Sequence, residues 1–306
     1  MLNFALMPIA LIYLICAIIG VIGNLIMVIV FVKEPKFKYP CNYLITLNCL
    51  ADAFHLAGHF VFNFQIFTDS TCSPATCYSL LFLTVVGYCI SGPLLLAIGI
   101  DRYFSCKFPL LYRTSLDRSN WYLLAQLAFP VGFSAGILIY AWGLRDFDNQ
   151  IICIAPLAIH RKAFEIYTYS SIAINCAIFL IYLATSFVLR DFKDRGATKM
   201  RQVFKSIALT VVFVLLGWTT VTLGNTVVFV VVDDVDTVAF FSIHAGLGVN
   251  VSCAINIFVF YKINTEYRLA IRSLFGWKAD VEPTGSSVDR RTSLATSKTL
   301  RRTSGI

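Results

Sequence analysis

The chain has 306 residues, 58% of them hydrophobic and only 14% charged, with a mean hydropathy of +0.75 and a formal net charge of +8. No single soluble core can hide that much apolar surface, so the composition excludes a water-soluble domain and points to membrane spans of about 20 residues. The ten cysteines lie mostly inside apolar runs, where they act as small packing residues and not as a disulfide scaffold.

Seven apolar runs are predicted as spans: residues 8–32, 43–67, 77–100, 121–143, 164–189, 206–232 and 239–261. The first is too long for a signal-peptide core and reads as a signal anchor. The fold expected is an all-α membrane protein: a seven-transmembrane helix bundle with a short amphipathic eighth helix, residues 265–277. No repeats or long linkers interrupt it. Residues 1–277 form the transmembrane domain, and the Ser/Thr/Arg-rich stretch 278–306 reads as a disordered tail.

Lys and Arg set the orientation. With the N-terminus outside, 22 of the 25 basic residues fall in inner loops and the tail, and only Arg145, Arg161 and Lys162 fall outside. The positive-inside rule therefore selects N-out, C-in. The positive charge then sits against anionic lipid and an intracellular partner, with no need for nucleic acid.

Polar groups within spans carry the functional information. Asp52 is the only acid well inside a span, and Asn24, Ser91, Asn250, Ser252 and Asn256 are polar positions in other spans. Structurally, such groups serve as interhelical hydrogen bonds; an isolated carboxylate also calls for a proton or a cation. His55 and His59 stand four apart on one helical face. That is metal-ligand spacing, but no Cys or Glu set accompanies them, so they read as lining the bundle or a ligand pocket.

The third span ends in DRYFSCKFPLLY, with Asp101 and Arg102 side by side. This stretch resembles the inner end of the third helix in rhodopsin-like G-protein-coupled receptors, matched at Asp101, Arg102, Tyr103, Pro109, Leu110 and Tyr112. Asn24, Asp52, Trp218, Asn256, Asn264, Glu266 and Arg268 fall at the other positions the resemblance requires. The texture around Asp101 and the short loops is similar to nematode serpentine chemoreceptors of class sx. Three positions depart from the pattern: Ile257 and Phe260 replace the seventh-helix proline and tyrosine, and Thr220 replaces the sixth-helix proline. Bends must then come from elsewhere, with Gly217, Gly246 and Gly248 as candidates.

The resemblance implies a receptor that senses an extracellular small molecule or peptide and activates a heterotrimeric G protein at the plasma membrane. It makes and breaks no covalent bond. Asp101, Arg102, Tyr103, Pro109, Tyr112, Trp218, Asn256 and Phe260 would form the switch, with Arg102 held by Asp101 at rest. No acid near Lys199–Lys205 offers Arg102 a second partner, so a lightly locked resting state with basal activity is expected. Thr84, Tyr88, Val221, Thr222, Asn225, Gly246 and Asn250 are the candidate ligand lining, with Tyr167 and Tyr169 as weaker members. Thr84 stands where amine receptors carry an aspartate, which argues against a biogenic amine. Asn250 stands where light receptors carry their retinal-binding lysine.

Beyond the helices, Asp52, Ser91, Trp218, Ser252 and Asn256 match a sodium site, the one cofactor-like group expected. Cys72, Cys77 and Cys153 can reach the oxidising side, and the resemblance favours Cys77–Cys153 over Cys72–Cys153. No cysteine follows Cys253, so the eighth helix is expected to hold the membrane through Tyr267, Ile271, Leu274, Phe275 and Trp277. Two RRTS runs, residues 290–293 and 301–304, offer phosphorylation sites that would recruit an arrestin. The final Ser-Gly-Ile is a candidate ligand for a PDZ groove. A transporter or a non-signalling seven-helix protein is the rival reading. Transporter repeats are not visible, an intramembrane hydrolase would need more than Asp52, and neither rival explains Asp101, Arg102 and Pro109.

Overall fold

A computed structural model describes residues 2–116, 119–145, 147–191, 204–205, 207–209, 211–217, 220–221 and 235–277. It is all-helical. The helices are α1 (Leu2–Lys33), α2 (Pro40–Thr68), α3 (Pro74–Leu80), α4 (Phe82–Lys107), α5 (Pro109–Leu116), α6 (Ser119–Gly143), α7 (Ala155–Ala158) and α8 (Arg161–Asp191). They are followed by the apolar stretch α9 (Ile207–Gly217), then α10 (Val235–Ala245), α11 (Leu247–Ala254), α12 (Asn256–Ile263) and α13 (Thr265–Leu274). Six of the stretches are long and apolar enough to cross a bilayer, the last running from Ile243 to Ile263 through α11 and α12; α9 is the shorter seventh.

Local chemistry sets the boundaries. Pro40, Pro74 and Pro109 each open a helix, at a position where the missing N–H costs nothing. The Ser73 hydroxyl caps α3 by accepting from the Thr76 N–H at 3.2 Å. α2 ends at Asp69, whose left-handed backbone (φ 50°) lets its N–H return to the Gln65 carbonyl. Between α12 and α13 the chain turns at Asn264, whose Oδ1 accepts from the N–H of Glu266 (3.0 Å) and Tyr267 (3.3 Å).

α1 shows why the bundle belongs in lipid. Leu11, Ile15, Ile18, Ile22, Leu25, Ile29 and Val32 recur every three or four residues, and all are exposed. A helical face of that kind is stable only against hydrocarbon. The opposite face packs on α2, which packs on α4; α4 in turn meets α6 and α8. α4 is the most buried of the long helices and α6 the least.

Close approach relies on missing side chains. A Cβ on Gly87 would press into the α2 backbone at Ala51 and His55, and one on Gly217 would lie 2.7 Å from the backbone of Gly248 and Val249. Gly217 and Gly248 thus serve as the crossing point of α9 and α11. The last span is interrupted twice, at Gly246 and at Ile255. The second break arises without a proline.

Beside the N-terminal end of α4, Cys77 and Cys153 are joined by a disulfide, as the resemblance implied. Cys72 stays a free thiol beside it, paired through its backbone with Ile151 and accepting from Gln65 Nε2 at 3.3 Å. The eighth helix calls for a correction. Tyr267 and Ile271 face the protein, at 1% and 3% exposure, because Tyr267 stacks on Phe37 (4.4 Å) and meets Phe260 edge-on (5.0 Å). Burial pushes the Tyr267 hydroxyl well above its usual pKa, so it stays neutral, and it donates to Asn42 Oδ1. Phe275 and Trp277 are exposed.

Candidate functional site

Three polar clusters lie along the bundle, and α4 contributes to each of them. At the C-terminal end of α4, Asp101 is fully buried. Its Oδ2 accepts from Arg102, with Nε at 2.9 Å and a second, shorter contact from the terminal nitrogen. Its Oδ1 accepts from Tyr112 of α5 at 3.3 Å and from Tyr122 of α6 at 3.0 Å. Arg102 also donates to the Tyr112 hydroxyl at 3.2 Å. Burial and then the Asp101 charge push the Tyr112 pKa upward, so it remains a donor at neutral pH. Pro109 acts by starting the helix that delivers Tyr112. Among the described residues, the hydrogen bonds around the arginine come from α4, α5 and α6. A buried charge satisfied this way is a local lock.

Midway along the bundle, Asp52 is 2% exposed and fully engaged. Asn48 and Asn256 donate to Oδ2 at 3.0 and 2.7 Å, and Ser91 donates to Oδ1 at 2.8 Å. Asn256 also donates to Asn24 Oδ1 at 3.0 Å, and Asn24 donates on to the carbonyls of Gly20 and Cys253. Four spans are tied together here. Of the expected sodium set, Asp52, Ser91 and Asn256 converge. Ser252 does not join them, since its hydroxyl donates to the Val249 carbonyl at 2.6 Å. Asn256 Oδ1 is buried with no hydrogen-bond partner. A carboxylate, a hydroxyl and an orphaned amide oxygen are hard donors, and they fit a sodium ion. Trp218 lies outside the described residues.

In the third cluster, Asn250 of α11 donates to the Gly246 carbonyl at 2.9 Å and meets His59 Nε2 at 2.5 Å through its Oδ1. Tyr13 of α1 lies against the His59 ring at 4.6 Å, and His55 stacks on Tyr88 at 5.4 Å. Tyr88 contacts Tyr167 of α8, whose hydroxyl donates to the Tyr88 carbonyl at 3.0 Å. Of the expected lining, Tyr88, Gly246 and Asn250 therefore come together. Thr84 is buried against Gly58, and Val221 packs beside Leu56, Val249 and Cys253. Tyr169 faces outward, while Thr222 and Asn225 lie outside the described residues. In the remaining switch set, Phe260 is buried against Tyr267 and Tyr103 is half-buried.

The sequence reading passed over three partners. Asn48 stands four residues before Asp52, a helical spacing that would have found it. Tyr13 and Tyr122 carry no such signal, because nothing local says that α1 or α6 turns a tyrosine inward.

Residues 17–275 match the family of serpentine type 7TM GPCR chemoreceptors, Srsx. The chain is also similar to trace amine-associated receptor 7f of Mus musculus, 27% identical over 243 residues that make up 66% of this chain and 64% of that protein. Trace amine-associated receptor 6 of Rattus norvegicus is 23% identical over 237 residues, 66% of each chain. The matched stretch thus spans just under two thirds of the length of these curated relatives. With the family matched from the first span through the eighth helix, the chain belongs to the serpentine 7TM GPCR chemoreceptors of the Srsx family.

Proposed function

We propose that this chain is a plasma-membrane receptor, N-terminus outside, that binds an extracellular small molecule or peptide and catalyses nucleotide exchange on a heterotrimeric G protein. Family membership supports the class, and the basic inner surface supports the orientation. The observation that carries the coupling step is the cluster at the inner end of α4. Asp101, Tyr112 and Tyr122 hold Arg102 at a helix end where a partner would enter. Releasing Arg102 costs several hydrogen bonds, so the switch has two discrete arrangements and the cue biases the choice between them.

The ligand reading centres on Tyr88, Gly246 and Asn250, with His55, His59 and Tyr13 added. The curated relatives are named for trace amines. This chain has Thr84, not an acid, at the third-helix position expected to pair with an amine, so a neutral or acidic cue is the better fit. Asp52, Ser91 and Asn256 would hold a sodium ion, whose charge would offset that of Asp52 in the resting bundle. The tail beyond residue 277 is read as the phosphorylation and arrestin segment.

The test is G-protein subunit dissociation across a panel of G proteins, for wild type and Arg102→Ala at matched surface levels. Signal in wild type, basal or cue-driven, that Arg102→Ala removes supports the proposal. A signal that survives Arg102→Ala overturns the role given to Arg102.

A further inference from the structure

We infer that His55 and His59 form the recognition element for a small carboxylic acid, which enters the bundle with its proton. This rests on the receptor reading above and narrows its ligand class.

Proton bookkeeping on the two rings comes first. Asn250 commits its amide nitrogen to the Gly246 carbonyl, so its oxygen faces His59, and the bonded His59 Nε2 must carry the hydrogen. His59 Nδ1 is therefore an acceptor. His55 is 7% exposed, and neither of its ring nitrogens has a hydrogen-bond partner. A neutral imidazole always keeps one bare nitrogen. Two basic nitrogens thus lie one helical turn apart, on rings 5.8 Å from centre to centre, and a buried orphan of this kind marks a place where a partner is missing.

The surroundings decide what that partner is. The helices that meet here are α1, α2, α4, α8 and α11, and their acids are Asp52, Asp101, Glu165 and Asp191. Asp52 lies one turn deeper with both oxygens taken, and Asp101 is locked at the inner end. Glu165 is exposed and paired with Arg161, and Asp191 is the last residue of α8. Among the described residues of these helices, a cationic ligand would find no available counter-ion. A metal is equally unsupported, since among the described residues no third ligating group completes a set with the pair.

Among the described residues, the titratable neighbours facing the pair are tyrosines: Tyr13 from α1, Tyr88 from α4 and Tyr167 behind it from α8. α11 brings the uncharged Asn250. His244 of α10 turns back onto the Phe240 carbonyl. An acid O–H is the strongest donor that can reach a bare imidazole nitrogen. If its proton crosses to His55, the product is a carboxylate–imidazolium pair with no net charge gained by the bundle. The tyrosine rings supply an apolar wall for the rest of the molecule.

The experiment uses the full chain, purified into lipid nanodiscs, and reads thermal unfolding with octanoic acid, octanol and octylamine as probes. Octanoic acid is expected to raise the unfolding temperature, with a half-saturating concentration that climbs about tenfold per unit between roughly pH 6 and pH 8, because one proton is taken up with each acid. Octanol and octylamine are expected to fall short of it. His55→Phe keeps the stack on Tyr88 and removes the orphaned nitrogens, so the variant should fold at least as stably as wild type and lose the octanoic-acid shift. Equal binding of octylamine, a pH-independent octanoic-acid shift, an unchanged shift in His55→Phe, or no shift at all would each overturn the proposal. The readout needs no G protein, so its failure is distinct from a failure of the Arg102 test.

Discussion

Tyr122, near the start of α6, donates to the buried carboxylate of Asp101 across 3.0 Å, and Gln126 donates in turn to the Tyr122 hydroxyl at 3.1 Å. The resting arginine is therefore tied to a third helix, α6, beyond the α4 acid–arginine pair and Tyr112 of α5. Among the described residues the lock is built within α4, α5 and α6; the residues beside Lys199–Lys205, on which the expectation of a lightly locked resting state rests, lie mostly outside the described residues.

Tyr122→Phe should loosen that lock while leaving the fold intact. Losing one hydrogen bond to a buried carboxylate is worth about 1 kcal/mol, close to a fivefold shift in the resting-to-active ratio. Agonist-independent G-protein dissociation should rise by about that factor at matched surface density. An unchanged basal signal would mean that the Tyr122 bond persists in both states.

Asp52 should confer sodium sensitivity. Purified receptor in sodium chloride should unfold at a higher temperature than in choline chloride. At sodium about tenfold above its Kd the gain is about 1.4 kcal/mol, or roughly 2–4 °C for a chain of this size. Asp52→Asn should abolish the difference between the two salts, and Ser252→Ala should retain it, because the Ser252 hydroxyl is committed to Val249. Sodium sensitivity surviving in Asp52→Asn would remove the site from this cluster.

The outer cysteines should behave unequally. Cys77→Ser and Cys153→Ser break the bond between α3 and the segment just before α7, at a cost of about 2–5 kcal/mol, and should strongly reduce surface expression. Cys72→Ser removes a thiol that only accepts from Gln65, and it should reach the surface near the wild-type level. Surface labelling with an antibody to an N-terminal tag distinguishes the two. The reverse pattern would show that Cys72 holds the working bridge.

Much of this was legible in the residues themselves. The membrane class follows from apolar runs longer than any soluble helix needs, and the orientation expected follows from where lysine and arginine fall. Asp52 and the Asp101–Arg102 pair stand out because a charge in an apolar run has to be matched by something. Helix starts at Pro40, Pro74 and Pro109 are local chemistry, whereas the Cys77–Cys153 pairing was only what the resemblance implied.

Contacts between helices were not legible, because an apolar helix carries no record of which neighbour it faces. Nothing near Tyr122 announces Asp101, 21 residues earlier, and nothing near Tyr13 announces Asn250. Tyr267 read as a membrane anchor because an aromatic residue on an amphipathic helix fits lipid and protein equally well; only packing against Phe37 and Phe260 settled it. Ser252 looked like a cation ligand by position, yet its rotamer returns the hydroxyl to its own helix. Hydrophobicity and charge thus decided which segments cross the membrane and which polar groups would need partners, while the tertiary structure alone decided which partners they have, since that depends on helix rotation and on the close approaches that glycines such as Gly87 and Gly217 permit.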